Sequence, residues 1–238
     1  MEVIPVLDVC GGVAVHARGG DRAAYRPVRS ILAEGADPLV LARAYRDRLG
    51  SRSCYLADLD AIAGTPPNLD LVRAVAGEGL SLWVDAGIAD TRSARAVLAA
   101  GAARAVVALE TLRNAEHLAT IPAEMPADDL AFSLDLKDGR PVARSRELAG
   151  LEACDLAALA WEAGYGTMIL LDLARVGREE GPALTLVEAL RSAVPDAHLA
   201  VGGGIRGPDD LERLARMGCA AALVGTAVHR RMISSRGS

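Results

Sequence analysis

Aromatic side chains are scarce in this chain of 238 residues, where they make up 3% of the sequence, and Phe132 is the single phenylalanine. Apolar residues nevertheless account for 51% of the chain. Its core must therefore be filled mainly by Val, Leu, Ile and Ala. Because a chain of this length can form one alternating α/β domain of about 250 residues, we expect a single domain over residues 1–238.

Three further absences narrow the possible functions. The net charge is −5 with no basic block, which argues against nucleic-acid partners and anionic membrane surfaces. The four cysteines show neither CxxC nor histidine spacing, so no disulfide framework, metal site or cofactor site is predicted. The chain has no apolar run of about 18 residues and no signal-like N-terminal segment. We therefore expect a cytoplasmic protein.

What the sequence does contain is a regular alternation of strand-like and helix-like runs. The strand-like runs are residues 3–9, 53–59, 80–85, 105–109, 130–136, 167–173, 198–201 and 220–224. The helix-like runs are residues 38–49, 69–76, 91–100, 112–119, 151–163, 184–193, 208–217 and 227–234. Eight such units favour a closed (β/α)8 TIM barrel over an open doubly wound sheet. The polar segment 11–30 is expected to be a loop that covers the active site, and residues 122–129 a shorter connector.

An internal repeat predicts that this barrel consists of two related halves of four strands. Leu7-Asp8-Val9 is repeated as Leu134-Asp135-Leu136, and Leu56-Ala57-Asp58-Leu59 is repeated as Leu170-Leu171-Asp172-Leu173. The segment 85–88 likewise matches 202–205. The three matches occur in the same order in both halves, which favours a repeat over chance.

Glycines follow the last two strand-like runs, as Gly202-Gly203-Gly204 and as Gly225-Thr226. Glycine turns let backbone N–H groups approach an anion closely, and a helix start adds partial positive charge. In (β/α)8 barrels a phosphate commonly binds beyond strands seven and eight. We therefore predict that Gly203, Gly204, Gly225 and Thr226 bind a substrate phosphate, with simple tight turns as the alternative.

Two matched pairs of aspartates close strands of the two halves. Asp8 and Asp135 would face each other across the barrel mouth, where the more desolvated carboxyl acts as acid and the other as base. Capping of the following turn is the alternative for either residue alone. Asp58 and Asp172 would orient the first pair or bind substrate hydroxyls. Arg175, on the rim, is a further candidate for substrate binding, and an ion pair between such a rim arginine and these aspartates is an equal alternative.

Two cationic side chains are further candidates. Lys137, the only lysine of the chain, points in the same direction along its strand as Asp135. A desolvated lysine beside a carboxylate can form a Schiff base, but an exposed turn at Lys137-Asp138-Gly139 is the favoured interpretation. Arg18 in the first loop would fold over an anionic substrate, with a solvated loop position as the alternative.

Several of these segments together resemble the HisA/HisF family of histidine-biosynthesis barrels, over roughly residues 3–230. They are Ile4-Pro5-Val6-Leu7-Asp8, Ser133-Leu134-Asp135, Gly202-Gly203-Gly204-Ile205-Arg206 and Val224-Gly225-Thr226-Ala227-Val228. The family includes the ProFAR isomerase, which performs an Amadori rearrangement, and imidazole glycerol phosphate synthase. The resemblance implies acid–base roles for Asp8 and Asp135 and phosphate binding at the last two strand ends. A glutaminase partner, as in the synthase branch, is possible, although no segment marks a docking face.

The chain departs from the family pattern at the other strand ends. The family has further glycine-rich phosphate turns after strands three and four, where this chain has Asp85-Ala86-Gly87 and Glu110-Thr111. Each carboxylate would repel a phosphate by about 1 to 4 kcal/mol at about 4 Å. After strand six, Leu171 and Val176 replace a Thr and an Asp of the isomerases, whereas Asp172, Arg175 and Gly177 are retained.

The sequence therefore predicts a divergent acid–base isomerase whose small substrate carries one phosphate. The far end of that substrate would be neutral or cationic to suit Asp85 and Glu110. Three alternatives stay open: a genuine ProFAR isomerase, a Schiff-base lyase that uses Lys137, and a non-catalytic barrel that binds a phosphate ligand.

Overall fold

Eight parallel strands form a closed barrel in the computed structural model, which describes residues 1–230 and 233, without the side chain of Arg22. The strands in chain order are β1 (Glu2–Cys10), β2 (Val13–His16), β3 (Arg26–Pro27), β4 (Ser53–Asp58), β5 (Ser81–Asp85), β6 (Arg104–Ala108), β7 (Leu130–Lys137), β8 (Arg140–Pro141), β9 (Thr167–Asp172), β10 (His198–Gly202) and β11 (Ala221–Val224). The barrel order is β1-β4-β5-β6-β7-β9-β10-β11, and β11 pairs with β1. This arrangement confirms the predicted (β/α)8 barrel.

Helices connect the barrel strands. They are α1 (Pro38–Leu49), α2 (Leu59–Ile62), α3 (Leu69–Ala76), α4 (Thr91–Ala99), α5 (Glu116–Ala123), α6 (Ala153–Ala163), α7 (Leu184–Ala193), α8 (Pro208–Arg216) and α9 (Thr226–Arg230). Their starts follow from local chemistry: the Asp37 carboxylate accepts from the N–H of Leu39 at 2.8 Å, and Asp90 and Ser93 form a capping box before α4. Within the described part of the chain, every helix is too short or too polar to cross a bilayer.

Two predicted helices differ from the observed ones. The helix expected over 112–119 begins later, at Glu116, because the preceding segment is held in a turn by the Thr111 hydroxyl, which donates to the Ile88 carbonyl at 3.0 Å. Pro122, expected in a connector, lies inside α5. For the helix predicted over 227–234, the structure shows α9, and the part beyond Arg230 lies outside the described residues except for residue 233.

The expected polar loop 11–30 is also more ordered than predicted. β2 pairs antiparallel with β1, and β3 pairs antiparallel with β2. Val13 and Val15 are β-branched and favour a strand, but the polar residues around them hid this signal. The tip of this flap lies against the segment after β9, where the Gly19 N–H donates to the Val176 carbonyl at 2.9 Å.

The strands present their side chains alternately to the barrel interior and to the helices. The interior cluster includes Ile4, Tyr55, Trp83, Ala131 and Ile169. Residues at even spacing from these also face inward, which places Asp8, Asp85 and Asp135 on the interior side of their strands. Asp58 and Asp172 have the opposite parity and face the helix layer.

The strands that carry the repeated segments pair with their neighbours in the same register in both halves of the barrel. Val9 on β1 pairs with Asp58 on β4, and Leu136 on β7 pairs with Asp172 on β9. The repeated sequence segments therefore occupy corresponding positions locally. A twofold relation between complete half-barrels stays a prediction.

Candidate active site

A cavity of about 520 Å³ lies at the carboxyl ends of the barrel strands. It brings together most of the site residues predicted from the sequence, which are Asp8, Asp85, Asp135, Lys137, Gly203, Gly204, Gly225 and Thr226. The other four predicted residues, Arg18, Asp58, Asp172 and Arg175, are not among the described residues that line it.

The Asp135 carboxyl is held at one of its two oxygens. It is 2% exposed, and its Oδ1 accepts a hydrogen bond from the Ser133 hydroxyl at 2.8 Å. Its Oδ2 is buried and has no hydrogen-bond partner among the described residues. Burial raises the pKa of Asp135 well above its usual value, and the charges of Glu110 and Asp85 raise it further, against the opposing effects of hydrogen bonds from the Ser133 hydroxyl and the Glu110 backbone N–H. This environment favours the protonated carboxyl, with its O–H available to a ligand.

Asp8 has a different environment on the other side of the cavity. It lies on β1, which pairs with β11 next to the Gly225 turn. The residue is partly buried, and this burial raises the pKa of its carboxyl to about 7. Near neutral pH, Asp8 is therefore able both to accept and to release a proton.

Two further carboxylates and a tyrosine lie near Asp135. Asp85 ends β5 and accepts hydrogen bonds from the Tyr55 hydroxyl at 3.4 Å and from the Gly87 N–H at 3.3 Å. Glu110 follows β6, and both acidic residues line the cavity. Burial raises the pKa of Tyr55 well above its usual value, and the charge of Asp85 adds to this effect. The side of the cavity formed by β5 and β6 is therefore acidic.

The glycine turn after β10 is required by packing. Gly203 and Gly204 have φ angles of 96° and 81°, in the left-handed region that side chains rarely adopt. A Cβ at Gly203 would lie 2.5 Å from the Asp172 carbonyl oxygen, and a Cβ at Gly204 would overlap the Gly181 carbonyl. These glycines are therefore needed for the turn whether or not a phosphate binds.

Gly225 is different. Its φ lies outside the left-handed region, and the nearest atom to a Cβ built there is the Val6 Cβ at 3.9 Å. Neither backbone conformation nor packing therefore requires glycine at this position. Because Gly225 lines the cavity, the missing side chain leaves room for a ligand against the backbone.

The sequence model of a protein family described as "Histidine biosynthesis protein" matches residues 2–234 of this chain. The chain belongs to this family, the HisA/HisF family. An uncharacterized protein of Methanocaldococcus jannaschii is 31% identical, and the match covers 97% of this chain and 94% of that protein. The 1-(5-phosphoribosyl)-5-((5-phosphoribosylamino)methylideneamino)imidazole-4-carboxamide isomerase of Thermus thermophilus is 32% identical over 96% of this chain and 94% of its own length. The isomerase of the same name from Acidothermus cellulolyticus is also 32% identical, and the match covers 99% of this chain and 95% of that protein.

In this member of the HisA/HisF family, Asp172 and Arg175 form an ion pair outside the cavity. Arg175 Nε donates to Asp172 Oδ2 at 3.0 Å, and its Nη1 donates to the Gly181 carbonyl at 3.0 Å. Gly181 in turn donates its N–H to the Gly204 carbonyl at 2.9 Å. The structure therefore favours the ion-pair alternative, because these residues support the glycine turn from behind.

Asp58 likewise faces away from the cavity and caps α2. Its Oδ1 accepts from the Ala61 N–H at 3.1 Å, and its Oδ2 accepts from the Asn68 N–H at 2.8 Å. The side chain is 4% exposed. The predicted role in orienting catalytic groups or binding substrate is thus replaced by a capping role, because strand parity turns Asp58 toward the helices.

We expect Asp58→Ala to lower the free energy of unfolding by about 1–3 kcal/mol, because two N–H groups lose their acceptor. KM should stay unchanged, since the carboxylate does not reach the cavity. Urea unfolding and steady-state kinetics measure the two effects. Asp70→Ala is the control, because Asp70 is exposed and forms an ion pair with Arg73 on the same helix. A raised KM with unchanged stability would restore Asp58 as a substrate ligand.

Lys137 lies at the mouth of the cavity, but it is exposed. It ends β7 and pairs with Arg140 across a hairpin in which Asp138 and Gly139 form the turn. This position favours the exposed-turn interpretation, since it lacks the desolvation that a Schiff-base lysine needs. Arg18 is exposed on the flap, in agreement with its solvated alternative.

Sequence reasoning missed two histidines that line the cavity with Gly225 and Thr226. His16 Nε2 lies 3.1 Å from the Thr226 hydroxyl. His229 is 6% exposed, and its nitrogens contact Ser30 and Tyr45 at 2.9 and 3.1 Å. Burial lowers the pKa of His229 to about 4, so it is neutral at pH 7. Its partners lie 184 and 199 residues away in the sequence, and no local motif could have revealed them.

Tyr55 was also missed, although it carried a signal. It shares strand parity with Ala57 and precedes Asp58 by three residues, so the face that holds Tyr55 cannot hold Asp58. If the residues of β4 that face the barrel interior had been identified from this alternation, Tyr55 would have been predicted in the site and Asp58 would not.

Proposed function

We propose that this HisA/HisF-family protein is an acid–base isomerase that acts on a substrate with a single phosphate by Amadori-type chemistry. Isomerase activity in general is supported by relatives of that name at 32% identity along nearly the whole chain. The observation that carries the finer proposal is the placement of Asp8 and Asp135 in one cavity with unequal environments. The more deeply buried Asp135 suits the acid role, and Asp8 suits the base role.

The proposed reaction converts an aldosylamine into an aminoketose. Asp135 gives its proton to the ring oxygen as the C1–O bond breaks and a C1=N iminium forms. Asp8 then removes the C2 proton, and the electrons of that bond form the C1=C2 bond of an enaminol as the iminium nitrogen becomes neutral. Asp8 returns its proton to C1, and the C2 hydroxyl returns a proton to Asp135 as the ketone forms. Both carboxyls regain their starting states.

The phosphate of this substrate would bind at the glycine turns after β10 and β11. Gly203, Gly204, Gly225 and Thr226 line one side of the cavity, and Gly225 leaves its backbone accessible. On the opposite side, Asp85 and Glu110 would repel a second phosphate. These features favour a substrate with one phosphate.

We expect kcat/KM to rise as pH increases from about 6 to about 8, because Asp8 has to be ionised to accept the C2 proton and its pKa is about 7. The pH dependence of kcat/KM, which reports the free enzyme, is the measurement. The Asp8→Asn variant should lose this rising limb together with turnover. A flat profile across this range would contradict the assignment of Asp8 as the base.

Turnover of two substrates tests the proposal directly. The first is 5-phosphoribosylamine in deuterated water, where isomerisation exchanges hydrogen at the reacting carbons and is followed by mass spectrometry. The second is the bisphosphorylated ribotide in the name of the relatives, supplemented by complementation of a histidine auxotroph. Deuterium incorporation that depends on Asp8 and Asp135 supports the proposal, and absence of turnover with any single-phosphate aldosylamine contradicts it.

A genuine imidazole-carboxamide ribotide isomerase is the second candidate, favoured by the names of the relatives at 32% identity. Efficient turnover of the bisphosphorylated ribotide and growth of the auxotroph would establish it. Asp85 and Glu110 argue for the first candidate, because they lie on the side of the cavity that a second phosphate would reach.

A further inference from the structure

The flap brings a histidine to the end of β11. β4 pairs with one edge of β1, whereas β11 pairs with the start of the other edge and β2 with its end. Because β2 is antiparallel to β1, it runs back along this edge toward β11. Its last residue, His16, thereby reaches Thr226, the first residue of α9. The His16 Nε2 lies 3.1 Å from the Thr226 hydroxyl oxygen, a contact across 210 residues of sequence.

This contact lies at the proposed phosphate site. Both side chains line the cavity, together with Gly203, Gly204 and Gly225. Both are partly buried, so their hydrogen bonds to a ligand are stronger than they would be in water. The flap therefore contributes a titratable side chain to the place where the phosphate of the substrate would bind.

The protonation state of His16 decides where the Thr226 hydroxyl can donate its hydrogen. A threonine hydroxyl has one hydrogen and can also accept, whereas an imidazole nitrogen either donates or accepts. If Nε2 carries no hydrogen, the Thr226 hydroxyl donates to it and presents only lone pairs to the cavity, which disfavour an anion. If Nε2 carries a hydrogen, as it always does in the imidazolium form, the hydroxyl accepts, and its own hydrogen is available to an anion.

The surroundings of His16 keep the imidazole neutral in the protein without a ligand. Burial lowers the pKa of His16, and the charge of Arg230 on α9 lowers it further. Glu179, in the segment after β9, raises it, and Arg18 on the flap lowers it by the smallest amount. His229 on α9 is itself neutral at pH 7. A phosphate dianion beside His16 would favour the charged imidazolium.

The other charged groups near this contact do not replace His16. Glu179 Oε2 accepts from Arg230 Nη1 at 3.1 Å, so its negative charge is offset where it would oppose an anion. Arg26 pairs with His16 across β2 and β3, but it is exposed and its guanidinium donates to two carbonyls of the flap. Asp8 on β1 also lines the cavity, and its pKa of about 7 lies in the same range. An experiment on His16 must therefore remove the titration of Asp8.

We propose that His16 completes the phosphate site from the flap: it takes up a proton from solvent as the phosphate binds, and it holds the Thr226 hydroxyl as a donor to the phosphate. The inference rests on the proposed function, because it assigns a further residue to the phosphate end of the substrate. Affinity for a dianion should increase as the pH falls, because protonation of His16 and binding of the anion favour each other.

The test is isothermal titration calorimetry with inorganic sulfate, which resembles a phosphate group and stays a dianion from pH 5 to pH 9. The protein carries Asp8→Asn throughout, so that titration of Asp8 does not contribute. We expect sulfate to bind about tenfold more tightly at pH 6 than at pH 8, the size of effect that a hydrogen bond to a charged group has. Titration in two buffers with different ionisation enthalpies should show proton uptake on binding.

Three variants in this background assign the effect. His16→Gln keeps an N–H donor but cannot become charged, so sulfate should bind about tenfold more weakly at pH 6, without proton uptake and without pH dependence. Thr226→Val should also weaken binding, and its combination with His16→Gln should cost less than the two separate losses together. His198→Gln is the control, because His198 is exposed at the opposite end of β10 from the glycine turn. It should leave the pH dependence unchanged.

Proton uptake that disappears in His16→Gln supports the inference. Sulfate binding without proton uptake, an unchanged pH dependence in His16→Gln, or independent losses at His16 and Thr226 overturn it and leave the proposed phosphate site in place. If the protein binds neither sulfate, inorganic phosphate nor alkyl phosphates, that site is overturned and the inference with it. The imidazole resonances of His16, titrated by NMR with and without sulfate, decide the same question without a substitution at His16.

Discussion

The Asp135→Asn variant is expected to lose turnover by about 10²- to 10⁴-fold, the usual contribution of a general acid, and yet to be more stable than the natural protein at pH 8. Asparagine has the shape of a protonated aspartic acid. Its Oδ1 can accept from the Ser133 hydroxyl as the carboxyl does, and its amide presents N–H donors where the Asp135 O–H lies. The variant therefore keeps the packing and loses the transferable proton.

The gain in stability follows from the direction of the pKa shift. Burial and the charges of Glu110 and Asp85 raise the pKa of Asp135 in the folded state. A raised carboxyl pKa contributes stability that is fully present below the unfolded-state value of about 3.8 and is lost as pH rises through the folded-state value. The difference in Tm between variant and natural protein should thus grow with increasing pH, as measured by thermal unfolding from pH 5 to pH 9.

Ser133→Ala is the matched control for Asp135→Asn. It removes the hydrogen bond at 2.8 Å but leaves the acid in place, so we expect a loss of about 1 kcal/mol in stability and a much smaller loss of rate. If Asp135 merely capped a turn, Asp135→Asn would lower the Tm and leave turnover nearly intact. That result would remove the acid from the proposed mechanism.

The second large effect is expected at Gly204. Gly204→Ala should lower the free energy of unfolding by about 2–5 kcal/mol, because left-handed backbone strain adds to a clash with the Gly181 carbonyl. Gly79 has a φ of 82°, nearly equal to the 81° of Gly204, and a Cβ there meets no atom within 4 Å. Gly79→Ala therefore introduces only the backbone strain, which costs about 1–2 kcal/mol. The difference between the two variants in the free energy of unfolding, measured with urea, is the cost of the clash at Gly204.

Gly225→Ala separates turn formation from phosphate binding. Since the added Cβ would lie 3.9 Å from its nearest neighbour, stability should change by less than about 1 kcal/mol. Affinity for inorganic phosphate, measured by calorimetry, should fall by about tenfold or more, because the methyl group occupies the space in which the anion approaches the backbone. Unchanged phosphate affinity would show that the glycines only shape the turns.

The order of strands and helices was readable from the sequence because each element carries its own local signal. Buried strands appear as short apolar runs and helices as longer periodic ones, and capping residues such as Asp37 and Asp90 mark the starts. The glycine turn at Gly203 and Gly204 was equally visible. Helix ends near Pro122 were misplaced, since the turn held by Thr111 and Ile88 depends on a contact between distant segments.

The sequence predicted which aspartates end strands, but it did not predict which of them face the barrel interior. Repetition in the sequence singled out Asp8, Asp58, Asp135 and Asp172 alike, but two of them face the helices. Strands of a parallel barrel are buried on both faces, so their sequences lack the polar alternation that would show which side is inward. Tyr55 could have been placed by parity once that side was known.

By itself, the sequence determined the eightfold alternation, the glycine turns and the family, because these depend on residues close together in the chain or on the resemblance as a whole. The tertiary structure alone decided which carboxyls meet in the cavity and how different their environments are. Burial, and contacts such as that of His16 with Thr226 across 210 residues, arise only when the barrel closes and joins its first strand to its last.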